Sequence, residues 1–148
     1  MSTQHYDLEV NLQTINDKIK FSAKSRSNPE VVIDYFPPFG DGEGYTPLEL
    51  LLFSFASCVS STLAILLRGK MRRNVSSIKA TAKGKVREEH PKAISEIHLE
   101  LCIYSEDTEE SDVNKSLAAL EDKICPVWAM LKGNVEIETE YTICKDQG

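Results

Sequence analysis

The chain has 148 residues, 41% of them hydrophobic and 27% charged, with a formal net charge of −6 at pH 7. That length closes a core without metal or disulfide staples, and a single domain over residues 1–148 is expected. The acidic balance argues against a nucleic-acid partner, whose footprint needs Lys and Arg clustered over one face.

Tyr6, Leu8, Val10 and Leu12 alternate with Asp7, Glu9, Asn11 and Gln13, the pattern of a half-buried strand. After a turn at Asn16-Asp17, Ile19, Phe21 and Ala23 alternate with lysines and serine, completing a hairpin. Val31-Val32-Ile33 reads as a third strand, and residues 36–45, FPPFGDGEGY, as a loop. Thr46-Pro47-Leu48-Glu49 then opens a helix: Thr and Glu make a capping box, and Pro stands at the first helical position, where its missing N–H costs nothing.

From Leu50 to Leu67 that helix runs eighteen residues without a charge. At 1.5 Å per residue this is about 27 Å, nearly a bilayer core. Ser54, Ser57, Ser60, Ser61 and Thr62 are strung through it, however, and amphipathic strands flank it on both sides. Those strands need an apolar cover, so the expectation is a buried central helix and no membrane. Gly69 is its expected stop, and Arg68, Lys70, Arg72 and Arg73 complement the negative end of its dipole.

Downstream, Ile78 to Val86 and Ile97 to Ile103 alternate as two strands joined by a turn at His90-Pro91. Val113, Leu117, Leu120 and Ile124 have helical spacing, with Ser111 or Asp112 as cap. A short helix in CPVWAMLKG ends at Gly133, and Val135 to Ile143 alternate in a last strand. The order βββ-α-ββ-α-α-β predicts an α+β domain in which antiparallel sheets wrap a long buried central helix.

The N-terminus, MSTQHYDLEV, lacks a charged segment followed by an apolar one, so no signal peptide is expected and the location is read as cytoplasmic. There the four cysteines, Cys58, Cys102, Cys125 and Cys144, stay reduced. They form no CxxC and the three histidines are scattered, so neither a metal nor a cofactor is expected.

Cys58 alone reads as a small apolar core residue; three turns into its helix it lies beyond the dipole field, and a thiolate there needs a cation nearby. At 100° per residue, Leu51, Phe55, Thr62 and Ile65 fall within about 60° of Cys58, whereas Glu49 lies about 180° away and serves as cap. Cys125 directly precedes Pro126 and so caps a short helix, whose free N–H groups favour a thiolate. Cys102 and Cys144 have no reactive context and read as incidental.

Together, Gly44-Tyr45-Thr46-Pro47-Leu48-Glu49-Leu50-Leu51-Leu52, Ala56-Ser57-Cys58, Cys125-Pro126-Val127 and Ala129-Met130-Leu131 resemble the OsmC/Ohr family of small thiol-dependent hydroperoxide reductases. The resemblance spans nearly the whole chain and is closest to a branch that carries PxELLL. It implies an intertwined homodimer with active sites at the subunit interface. Cys58 would attack an organic hydroperoxide and become a sulfenic acid, Cys125 would condense with it to a disulfide, and a dithiol such as dihydrolipoamide would reopen the bridge. Leu51, Phe55 and Thr62, on the Cys58 face, would line the substrate pocket.

One departure stands out. The family's peroxidase branches place a glutamate directly after the helix-opening proline, paired with an N-terminal arginine; here that position is Leu48, and the only arginine before Pro47 is Arg26. A second reading is therefore a non-enzymatic OsmC-like protein that senses redox state or binds a small apolar ligand. A third, a purely structural partner protein, has only the acidic surface in its favour.

Overall fold

The computed structural model describes residues 5–145. Residues 1–4, on which part of the leader reading falls, lie outside the described residues, as do 146–148. The chain divides into two compact units that meet at Leu50/Leu51, each described in turn.

In the first unit, β1 (Asn11–Thr14), β2 (Phe21–Lys24) and β3 (Val31–Ile33) form an antiparallel sheet in sequence order. The β1–β2 turn is set by Asn16, whose side-chain oxygen accepts the N–H of Lys18 at 2.9 Å and of Lys20 at 3.1 Å. The first strand differs from expectation. It begins at Asn11 rather than near Tyr6, and Leu8 and Val10 are 90% and 69% exposed. Alternation says which side chains share a face, but burial also requires a surface to cover that face.

The loop after β3 is fastened by a residue that sequence inspection passed over. Asp34 is buried, and its carboxylate accepts N–H groups of Tyr35 at 2.8 Å and of Asp41 and Glu43 at 3.1 Å each. Burial pushes its pKa up, but these three donors, with Lys20 nearby, win and hold it below its ordinary value. The winding is so close at Gly40 that a Cβ there would stand 2.1 Å from the Tyr35 carbonyl oxygen.

α1 (Pro47–Arg68) starts as its capping box predicts. The Thr46 N–H donates to Glu49 Oε1 at 2.8 Å, and the Glu49 N–H donates to Thr46 Oγ1 at 3.3 Å. It stops at Gly69, whose N–H donates to the Ile65 carbonyl at 2.9 Å. By length and hydropathy alone α1 would suit a membrane span. Only one face of it is enclosed: Phe55, Val59, Leu63 and Leu67, four residues apart, are completely buried, while 22% of the apolar stretch as a whole is buried and Phe53 and Ile65 are exposed.

In the second unit, β4 (Val75–Val86) and β5 (Ile94–Ser105) are antiparallel, with Ala82 opposite Leu99. β6 (Glu136–Cys144) pairs with the other side of β5 in parallel, so this sheet is mixed, against the antiparallel expectation. The physical reason is the crossover. The helical segment between β5 and β6 carries the chain back to the end where β5 began, which a tight hairpin cannot do.

That crossover comprises α2 (Glu110–Ala119), a wide turn of π geometry at Leu120–Ile124, and α3 (Pro126–Leu131). α2 begins slightly before the expected cap because the Glu109 N–H bonds Asp112 Oδ2 at 2.9 Å. The same carboxylate oxygen receives Arg73 Nε at 2.8 Å, so this arginine is held by an ion pair as well as lying near the C-terminal end of α1.

The core of this unit joins the α1 stripe to Ile97, Leu99, Leu101 and Ile103 of β5, Val113 of α2, and Trp128 and Leu131 of α3. Each such side chain, fully buried, contributes about 1.5–3 kcal/mol of hydrophobic stabilisation. Residues of opposite parity on β5, namely His98, Glu100, Cys102 and Tyr104, occupy the outer face.

Candidate functional site: two thiols at a helix start

The π turn delivers Cys125. Its N–H reaches the Leu120 carbonyl, five residues back, at 3.0 Å, and Pro126 then fixes the first position of α3. Cys125 is therefore the cap of α3, as its sequence context predicts, and its sulfur accepts the Trp128 N–H at 3.5 Å. The thiol is buried and points at α1, where Cys58 Sγ stands 3.0 Å away with Cys125 as the donor. Two cysteines 67 positions apart are thus in direct contact.

The electrostatics of Cys125 depart from the cap argument. Burial first, and then its bond to Cys58, push its pKa from 9.0 to about 11, although the Trp128 and Val127 N–H groups pull the other way. A helix of six residues offers too little field to offset the loss of water. Cys125 is accordingly a thiol that donates to Cys58.

The three residues expected to line the pocket beside Cys58 differ in placement. Phe55 is completely buried and meets the Trp128 ring edge-on, with centroids 5.5 Å apart and planes at 78°. Leu51 and Thr62 are half-buried. Glu49 is engaged in the helix cap, as the angular argument requires.

The OsmC family model, described as OsmC-like protein, matches residues 40–140. The chain belongs to the OsmC-like family. No curated protein matches it in sequence. Among solved structures, a hypothetical protein from Aquifex aeolicus is 29% identical with a TM-score of 0.82, over 97% of this chain and 100% of that one. An OsmC-like protein from Mycoplasma pneumoniae is 19% identical with a TM-score of 0.79, over 95% and 99% of the two chains. An organic hydroperoxide resistance protein of Bacillus subtilis is 14% identical with a TM-score of 0.63, over 93% and 98%. At such identities the last two show that this chain shares the OsmC-like fold.

Among the described residues of this OsmC-like chain, two groups of side chains have the composition of a metal site. His98, Glu100 and Glu140 bring ligand atoms within 4.8 Å of one another, as do Asp34, Asp41 and Glu43. Both are engaged in ion pairs or hydrogen bonds. Glu100 holds Lys83 at 3.0 Å, Asp41 holds Lys18 at 2.7 Å, Glu43 holds Lys20, and Asp34 binds backbone N–H groups.

Sequence reasoning missed a second thiol pair. Cys102 on β5 and Cys144 on β6, read as incidental, have their sulfurs 2.9 Å apart. Parity along each strand would have put both on the polar face, but only the parallel register makes them neighbours.

Proposed function

We propose that this protein is a thiol-dependent peroxidase that reduces organic hydroperoxides, with Cys58 as the attacking cysteine and Cys125 as the resolving one. The observation that carries the reading is the 3.0 Å contact between the two sulfurs, with Cys125 as donor. The raised pKa of Cys125 keeps it protonated, so it faces Cys58 as a neutral thiol donor.

In this reaction the Cys58 thiolate attacks the terminal oxygen of ROOH, the O–O bond breaks, and RO⁻ leaves and is protonated to ROH. Cys125 sulfur then displaces hydroxide from the Cys58 sulfenic acid, its proton leaving with the hydroxide as water, and the disulfide forms. A dithiol such as dihydrolipoamide reduces the bridge. The immediate contact of the resolving thiol guards Cys58 against further oxidation. Leu51 and Thr62 would meet the apolar part of the substrate, with Phe55 as a floor held by Trp128.

The working protein is proposed to be a cytoplasmic homodimer. The large apolar side chains that the single chain leaves exposed, Leu8, Val10 and Leu12 near the N-terminus and Phe53 and Ile65 on α1, are what a second copy would cover. The family relation and an organic hydroperoxide resistance protein among the solved structures of this fold support a stress-related redox role.

The test is peroxide consumption with cumene hydroperoxide and dihydrolipoamide. Turnover is expected in the wild type, its loss in Cys58→Ser, and stalling after one equivalent in Cys125→Ser. Absence of wild-type turnover with any dithiol would remove the enzymatic reading. Leu48 at the family's glutamate position favours one alternative, an OsmC-like redox sensor or binder of a small apolar ligand. It would show ligand-dependent thermal stabilisation without turnover.

A further inference from the structure

We propose that Cys102 and Cys144 form a second redox-active dithiol, on the outer face of the β4–β5–β6 sheet, which a hydroperoxide oxidises to a disulfide joining β5 to β6. This site goes beyond the Cys58–Cys125 reading and does not depend on it.

The geometry follows from parity and register. On β5 the odd residues Ile97, Leu99, Leu101 and Ile103 enter the core, so Cys102 points outward. On β6 the even residues are the outward ones, and Cys144 ends that row. The parallel pairing sets Cys102 beside Thr142 and Tyr104 beside Cys144, one pleat apart on a common face. Both side chains are half-buried, and their sulfurs are 2.9 Å apart. A disulfide needs about 2.05 Å, so closure asks for a movement of just under about 1 Å.

The surroundings assign the two sulfurs different parts. Cys102 is hydrogen-bonded by Cys144 and then by Tyr104, and Lys79 lies directly across from it on β4. Lys79 also places its ammonium 5.3 Å from the centre of the Tyr104 ring. The bond to Cys144, the Tyr104 hydroxyl and this charge hold the Cys102 thiol below its ordinary pKa, whereas Cys144, bonded to Cys102 and partly desolvated, is raised even though the same lysine pulls it down. Cys102 is the attacking thiolate and Cys144 the resolving thiol. An open cleft of about 480 Å³ lined by Lys79, Thr81, Glu100, Cys102, Glu140 and Thr142 gives access. Its polar walls suit hydrogen peroxide or a short-chain hydroperoxide.

The chemistry balances as two thiols plus ROOH giving a disulfide, ROH and water. The Cys102 thiolate takes the terminal OH of the peroxide as the O–O bond breaks, and RO⁻ is protonated. Cys144 sulfur then attacks Cys102 sulfur, hydroxide leaves, and the thiol proton converts it to water.

The experiment uses the full chain carrying Cys58→Ser and Cys125→Ser, treated with one equivalent of hydrogen peroxide or tert-butyl hydroperoxide. Thiols are counted after denaturation and peptides are mapped by mass spectrometry. The expected result is loss of both remaining thiols, one intramolecular bridge between the Cys102 and Cys144 peptides, and full recovery with dithiothreitol. Survival of both thiols, a bridge between two chains, or Cys102 sulfinate beside a free Cys144 would overturn the proposal. Cys144→Ser should accumulate a sulfenic acid on Cys102 that dimedone traps, and Cys102→Ser should leave Cys144 unlabelled; the reverse pattern would refute the assigned roles. Peptide mapping of the oxidised wild type reads the same bridge should the double variant not fold. Because that bridge lacks Cys58 and Cys125, failure of the peroxidase reading leaves its result intact.

Discussion

Cys125 should alkylate more slowly than a thiol at the ordinary 9.0, and the margin can be worked out. A thiol at about 11 is ionised in about one molecule in a thousand at pH 8, against about one in ten for a thiol at the unshifted 9.0. The hundredfold deficit is partly offset, since a more basic thiolate is intrinsically a better nucleophile by about tenfold over this interval. The net expectation is about tenfold slower alkylation than for an unshifted thiol, before any slowing from burial. Following iodoacetamide labelling of each cysteine by mass spectrometry across alkaline pH should show Cys125 inflecting near 11, as far as the fold survives. Cys58→Ala removes the second-largest cause of the rise and leaves burial, so the inflection should fall part of the way toward 9.0. The same shift carries a stability consequence with a definite sign. The native state holds this proton more tightly than the unfolded chain, so the contribution is complete below 9.0 and is lost as pH rises toward about 11. A Cys125 that titrates at or below 9.0, or an inflection indifferent to Cys58→Ala, would refute the account of burial and donation at this site.

Three further outcomes are expected. Phe55→Ala empties a fully buried site against Trp128 and should cost about 3–5 kcal/mol in denaturant unfolding, with Phe55→Leu losing under about 1.5 kcal/mol; equal costs would show that packing volume is not what Phe55 supplies. Gly40→Ala drives a Cβ to 2.1 Å from the Tyr35 carbonyl oxygen, so amide exchange over residues 34–44 should accelerate, and unchanged protection would contradict the close winding. Asp34 sits below its ordinary 3.8, so it contributes stability above that pH which is lost as the solution is acidified through its lowered value. Asp34→Asn should flatten this part of the acid-unfolding curve, and an identical acid limb in wild type and variant would remove Asp34 from the explanation.

Much of the fold was legible in local chemistry. Thr46, Pro47 and Glu49 announce where α1 begins and Gly69 where it stops, because capping is settled within one helical turn. Alternation along β5 and β6 told the inner face from the outer one, since parity is a property of the strand itself, whereas on β4 Ala80 and Val86 of the expected inner face are exposed. Cys125 could be placed at a cap from Pro126 alone. The same local view misjudged its acidity, because the cap donors were visible in sequence while the loss of water around the sulfur was not.

What sequence determined by itself, then, is the order of the elements, the limits of α1, and the alternation that sends neighbouring side chains of a strand to opposite faces. Tertiary structure alone decided which elements are neighbours. The parallel seating of β6 on β5 depends on the path of an intervening helical segment, and it turns two unremarkable cysteines, Cys102 and Cys144, into a contact pair. Likewise the meeting of Cys58 and Cys125 depends on a π turn in one segment and a helix face in another. Spacing along a chain carries no distance between residues that far apart, and packing supplies it.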